Sequence, residues 1–112
     1  MNKILWEPTS DFIQSTNIYK FKKNINDKYG LKLDSYQELH KWSVENLEEF
    51  WYETSNFSSI KYFQKPNNVL SKYSHMINAK WFEGAKLNFA ENLLSCRNDK
   101  LAIYSFREDS YE

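Results

Sequence analysis

The sequence is poor in the residues from which catalytic loops and metal sites are usually built. Its two glycines, Gly30 and Gly84, stand 54 positions apart, so no glycine-rich phosphate loop is written in it. One cysteine, Cys96, excludes an intramolecular disulfide and a cysteine-built metal cluster, and reads as a small, semi-buried hydrophobe. Neither histidine, His40 or His75, has an Asp, Glu, Cys or His at i+3 or i+4, which leaves no helical metal-binding pair. No apolar run approaches the ~18 residues of a membrane span, and no basic-then-apolar leader opens the chain. The expected location is therefore cytoplasmic. Fifteen basic residues balance fifteen acidic ones, which argues against a general nucleic-acid or membrane-surface binder.

What is abundant is aromatic. Hydrophobic residues make up 41% and aromatics 18% of 112 residues, too much apolar surface for a disordered tail. The length fits one domain or part of one, able to bury roughly 60–70% of its extended-chain surface. Charge is segregated despite its balance. Lys20 to Lys32 holds five lysines and one acid, whereas Glu38 to Glu53 holds five glutamates and one lysine. Two solvated helix faces that attract each other weakly account for this. A basic nucleic-acid platform around Tyr19–Lys23 does not, because its aromatics fall at core spacing.

Periodicity predicts helices. Pro8-Thr9-Ser10-Asp11 reads as a start, with Thr9 or Ser10 as N-cap. Ile18, Phe21, Ile25 and Tyr29 form one narrow stripe and Gly30 follows as a C′ glycine, so a helix is predicted over 10–29. Asp34 and Ser35 offer caps for a short helix through Tyr36, Leu39 and Trp42. Ser43 is the predicted cap of another helix, with Leu47, Phe50, Trp51 and Thr54 at i, i+3, i+4 and i+7, ending near Phe57. Residues 58–78 read as ordered loop with one helical turn. Ala79–Phe82 is predicted extended, Glu83-Gly84 turns, and a helix starts near Asn88. Asn88-x-x-Glu91 has the pattern of a capping box. Leu101–Arg107 reads as a β-strand that turns at Glu108-Asp109-Ser110 and returns from Tyr111. A strand that loses its hairpin partner leaves unpaired backbone groups, so the chain is expected to be the N-terminal piece of something larger.

Several stretches, in order, resemble the acetoacetate–CoA ligases. They are Leu5-Trp6-Glu7-Pro8-Thr9-Ser10, Tyr29-Gly30-Leu31, Ser35-Tyr36-Gln37-Glu38-Leu39-His40-Lys41-Trp42-Ser43-Val44, and Glu49-Phe50-Trp51. The closest is Ala79-Lys80-Trp81-Phe82-Glu83-Gly84-Ala85-Lys86-Leu87-Asn88-Phe89-Ala90-Glu91-Asn92-Leu93-Leu94. Ala90-Glu91-Asn92 favours the acetoacetate over the acetate branch, where a tyrosine usually precedes the second asparagine. Ile77, Asn78 and the Ser55-Asn56 region depart from the family pattern, as local turn or packing changes.

The resemblance implies a mainly α region with a C-terminal β-strand, belonging to an incomplete α+β adenylate-forming enzyme. Residues 1–98 would be its helical N-terminal region and 99–112 the start of the AMP-binding domain. The parent would use ATP, Mg and coenzyme A on acetoacetate, and this chain's partner would be the missing AMP-binding domain. No catalytic, cofactor-binding or metal residue carries over onto this sequence. The residues that carry the family motif are Trp42, Phe50, Trp51, Trp81, Phe82, Gly84, Leu87, Asn88, Glu91 and Asn92, all with structural roles. Asn92 is expected to be a buried amide tying its helix to neighbouring backbone. A stand-alone helical interaction module, left by a split or decayed gene, is the alternative.

Overall fold

The computed structural model describes residues 4–108. Among the described residues five α-helices follow one another: α1 (Ser10–Ser15), α2 (Asn17–Tyr29), α3 (Tyr36–Glu45), α4 (Leu47–Phe57) and α5 (Phe89–Leu93), with a 3-10 turn at Met76–Asn78. The predicted helix over 10–29 is broken in two. Thr16 lies in the extended region (φ −71°, ψ 151°), and its hydroxyl donates to the Ile13 carbonyl at 2.6 Å and accepts from the Tyr19 N–H at 3.3 Å. Ser15 likewise donates to the Phe12 carbonyl. Two adjacent hydroxyls thus finish one helix and start the next, a local competition that the hydrophobic stripe cannot report. Thr9 caps α1.

Gly30 ends α2 in the left-handed region, at φ +65°. The link that follows is held by a side chain. Asn26 donates from Nδ2 to the Leu33 carbonyl (3.0 Å) and accepts the Leu33 N–H (2.9 Å), so its amide pairs with the extended link as a strand neighbour would. Ser35 and Glu38 close a capping box at the start of α3. Ser43 is not a cap: α3 runs on to Glu45 and Asn46 begins α4, while the Ser43 hydroxyl folds back onto the His40 carbonyl.

The core is small. Phe21, Ile25, Leu39 and Trp42 are buried together, with Leu31, Leu33 and Phe50 packed against them. Rings join edge to face around it: Phe21 meets Phe50 at 5.9 Å and Phe57 at 5.3 Å, and Tyr29 tilts onto Trp42 at 5.5 Å.

Residues 63–71 and 80–86 run antiparallel as a narrow ribbon. Gln64 bridges Lys86 and Leu70 bridges Trp81. Asn67 donates to the Glu83 carbonyl, whereas Phe82 donates to the Val69 carbonyl. The register therefore slips by one residue at Asn68, a bulge. The Phe82 carbonyl accepts from the Ala85 N–H, closing a turn with Phe82 at φ +46° and Gly84 at φ +81°. Among the described residues no β-strand element forms, so the expected C-terminal strand is a correction. Leu101–Glu108 is exposed, and the expected return at Tyr111 lies outside the described residues. Strand alternation encodes only half of a sheet; the neighbour has to be supplied.

The two glycines separate two costs of adding a Cβ. At Gly30 nothing lies within 4 Å, and at Gly84 the Asn67 Nδ2 would be 2.7 Å away. Gly30→Ala is expected to cost about 1–2 kcal/mol from its left-handed φ alone. Gly84→Ala is expected to cost more, because it adds the collision. Urea denaturation of both variants checks the order.

Candidate functional site

Residues 81–92 hold most of the family-motif side chains, and α4 gives them a surface to pack on. α4 places Phe50 inward and Trp51 outward. Trp51 meets Phe50 at 5.3 Å and Trp81 at 5.8 Å, both edge to face. Each such pair is worth about 0.5–1.5 kcal/mol beyond the area it buries. A continuous file of rings therefore runs from Phe57 through Phe21, Phe50 and Trp51 to Trp81, from the helical core to the ribbon. Phe82 and Leu87 wall a groove of about 310 Å³ together with Trp51, Ile60 and Tyr62. Trp42 does not join this group; it packs in the helical core against Tyr29.

After the Gly84 turn, Asn88 caps α5 by accepting the Glu91 N–H at Oδ1, at 3.1 Å. The reciprocal bond of a capping box, from Glu91 back to the Asn88 backbone, is not among the hydrogen bonds of the described residues, and Glu91 is exposed. Asn92 clamps instead. It accepts the Lys61 N–H at 2.8 Å and donates from Nδ2 to the carbonyls of Lys61 and Asn88, both at 3.0 Å. It is half-buried rather than enclosed. This clamp repeats the Asn26–Leu33 arrangement, and together the two fasten helices to extended chain without sheet pairing.

One buried group went unread in the sequence. Glu53, 1% exposed, accepts from Lys28 Nζ at 2.6 Å and from the Tyr29 hydroxyl at 3.0 Å. A signal for it existed: Phe50, Glu53 and Phe57 lie at i, i+3 and i+7, so Glu53 falls on the apolar stripe of α4. The opposed charge blocks thus meet here in one buried-to-surface pair, with Lys28 half exposed and also over the Tyr52 ring at 5.2 Å. Burial, then the hydrogen bond to Glu53, pushes Tyr29 up to about 12 from an ordinary 10.0. The same carboxylate raises Lys28. At the start of α3 the backbone N–H groups of Ser35 and Asp34 hold Glu38 below the usual carboxylate value. His40 stacks on Tyr36 at 6.2 Å, and among the described residues no group of three ligating side chains is placed to hold a metal.

Residues 36–93 match the profile of the acetyl-coenzyme A synthetase N-terminus. The chain belongs to that family. It is 42% identical over 108 residues to an acetoacetyl-CoA synthetase of Xenopus tropicalis, covering 95% of this chain and 16% of the relative. A malonamoyl-CoA synthetase of Penicillium aethiopicum is 38% identical over 93 residues, covering 82% of this chain and 13% of that one. The solved acetoacetyl-CoA synthetase from Streptomyces lividans superposes with a TM-score of 0.73 and 31% identity over 80% of this chain and 14% of that structure. The chain thus spans about one sixth of the length of the relatives it matches. In this member of the family, every residue that lines the Trp51–Leu87 groove lies inside the matched stretch.

Two outcomes test the site's construction. Asn92→Asp keeps the acceptor for Lys61 but turns two donated bonds into carboxylate–carbonyl contacts; a loss of about 1–3 kcal/mol and faster hydrogen exchange at Lys61 are expected. For the Glu53 cluster, both raised groups lose their stabilising protons as pH rises. Stability is therefore expected to hold below about pH 10 and to fall between about 10 and 12, with Tyr29→Phe removing part of that fall in chemical denaturation.

Proposed function

We propose that this chain is the N-terminal region of an ATP-dependent acetoacetate–CoA ligase and that it serves there as a docking element without chemistry of its own. The reading is supported most by one observation. The chain exposes 10283 Å², against about 6,500 Å² expected of a compact protein of its mass. Its radius of gyration is 19.4 Å, against about 13 Å for a compact chain of this length. Such a shape suits a piece that covers a larger body. Similarity to an acetoacetyl-CoA synthetase over 95% of its length supports the rest of such a ligase as that body.

In the parent, acetoacetate would attack the α-phosphate of Mg·ATP to give acetoacetyl-adenylate and pyrophosphate. The thiol of coenzyme A would then displace AMP. The residues of this chain do not fit those groups: it has no run of glycine amides for phosphate, and Asn88 and Asn92 already spend their side chains on backbone. No step is therefore assigned to it. Its partner would be the AMP-binding domain in the cytoplasm, with a boundary near residue 98, and Leu101–Arg107 would become a strand once that domain supplied a neighbour.

Incubated with Mg·ATP, acetoacetate and coenzyme A, the purified chain is expected to form neither AMP nor acetoacetyl-CoA. Turnover near the ordinary enzymatic range of about 1 per second or above would overturn the docking role. The chain is also expected to brighten a dye that binds apolar surface and to self-associate as concentration rises.

A further inference from the structure

We infer that Lys28 is a conditional acylation site: closed on Glu53 it is protected from acyl thioesters, and once acylated it holds α2 away from α4. The product proposed above for the parent ligase is itself such a thioester. The donor therefore rests on that reading, whereas the latch stands on its own contacts. Glu53 is 1% exposed on α4, and the bonds from Lys28 Nζ, at 2.6 Å, and from the Tyr29 hydroxyl, at 3.0 Å, land on the same oxygen, Oε1. Of these two donors Lys28 alone brings a charge. Its side chain is 48% exposed, so a soluble reagent meets it without entering the core. Across from Glu53 it lies over the Tyr52 ring, at 5.2 Å.

The pair sets when the nitrogen can react. An ammonium has no lone pair to attack with, and the hydrogen bond to Glu53 raises Lys28 above the ordinary lysine value. When α2 lifts from α4, Lys28 becomes a solvated lysine and a fraction of it sheds its proton. The free amine then attacks the thioester carbonyl carbon. A C–N bond forms as the C–S bond breaks, and the departing thiolate takes up the proton that the new amide nitrogen gives up. The product side chain is neutral. Reclosing would bury Glu53 with Tyr29 as donor and no counter-charge, and a buried charge stripped of its partner is strongly destabilising. Acylation thus traps the opened form. Glu53 stands two residues after Trp51, so α4 is loosened close to where Trp51 meets Trp81.

Other lysines of the helical half lack this gate. Lys20, Lys23 and Lys32 are exposed, and among the described residues none of them forms an ion pair. Lys41 reaches Glu45 at 3.9 Å, but both side chains lie mostly in water. Acylating any of these leaves no buried carboxylate behind. They react as ordinary surface amines and serve as the internal standard.

The test incubates the full chain with acetyl-CoA and follows each lysine by peptide mass spectrometry. Lys28 is expected to acylate at least about tenfold more slowly than Lys20, Lys23 and Lys32, and in Glu53→Gln to come within about twofold of them. Equal rates in the unsubstituted chain would overturn the protection, and this comparison decides even where Glu53→Gln loses its helical circular dichroism. A slow Lys28 in a folded Glu53→Gln chain would overturn it too. Lys28→Gln, a neutral stand-in for the acylated side chain, is expected to raise the fraction unfolded at a fixed urea concentration at least about tenfold. Lys28→Arg is expected to leave that fraction unchanged, and Glu53→Gln added to Lys28→Gln to restore part of the loss. The same small effect from Lys28→Gln as from Lys32→Gln would overturn the trap. Because the thioester is supplied, failure here would leave the ligase reading standing, and failure of that reading would leave the latch.

Discussion

Two halves of this molecule meet where Trp51 sets its edge on Trp81. On one side lie the four N-terminal helices, with a core of Phe21, Ile25, Leu39 and Trp42. On the other lies a ribbon with a one-residue bulge and a helix of five residues, neither able to stand alone. The ring contact ties the second half to the file of aromatics that ends in the core. It is reinforced by the hydrogen bond between Ser55 and Tyr62, 2.9 Å long, which also links α4 to the chain entering the ribbon. Trp51 and Trp81 remain 40% and 42% exposed. The joint is thus itself only partly covered, and Trp51 also lines the groove beside it.

With so little core, the fold relies on polar groups that substitute for missing elements. Asn26 and Asn92 each offer an amide that matches one residue of extended backbone, donor to carbonyl and acceptor to N–H. Each supplies the pairing a neighbouring strand would otherwise provide. Glu53 acts differently, by drawing Lys28 and Tyr29 of α2 onto α4. A carboxylate is costly to bury, but here Lys28 keeps half its surface in water, so the pair avoids enclosing both charges.

Much of the helical half was legible because its signals are local: Thr9, Gly30 and Ser35 cap as their chemistry demands, and Phe21 and Ile25 fall on a readable stripe. Thr16 was missed because a hydroxyl that breaks a helix leaves the apolar period intact. Trp51 reads as core on spacing alone, yet it turns toward Trp81, a partner 30 residues away that no helical period encodes. Val69, buried in the ribbon, sits in a stretch without period, and its position follows from pairing with Phe82. Leu101–Arg107 marks the sharper limit. Its alternation asks for a sheet that the described residues do not contain. At the candidate site, residue identity and family were readable from the Trp81–Leu94 stretch, whereas the clamp to Lys61 and the groove walls are long-range facts.

The chain is open rather than compact, and the proposed docking role rests on that shape. Small-angle X-ray scattering from the monomer fraction, extrapolated to zero concentration, measures that shape. A radius of gyration near 19.4 Å is expected. A value near about 13 Å, that of a compact globule of the same length, would contradict it.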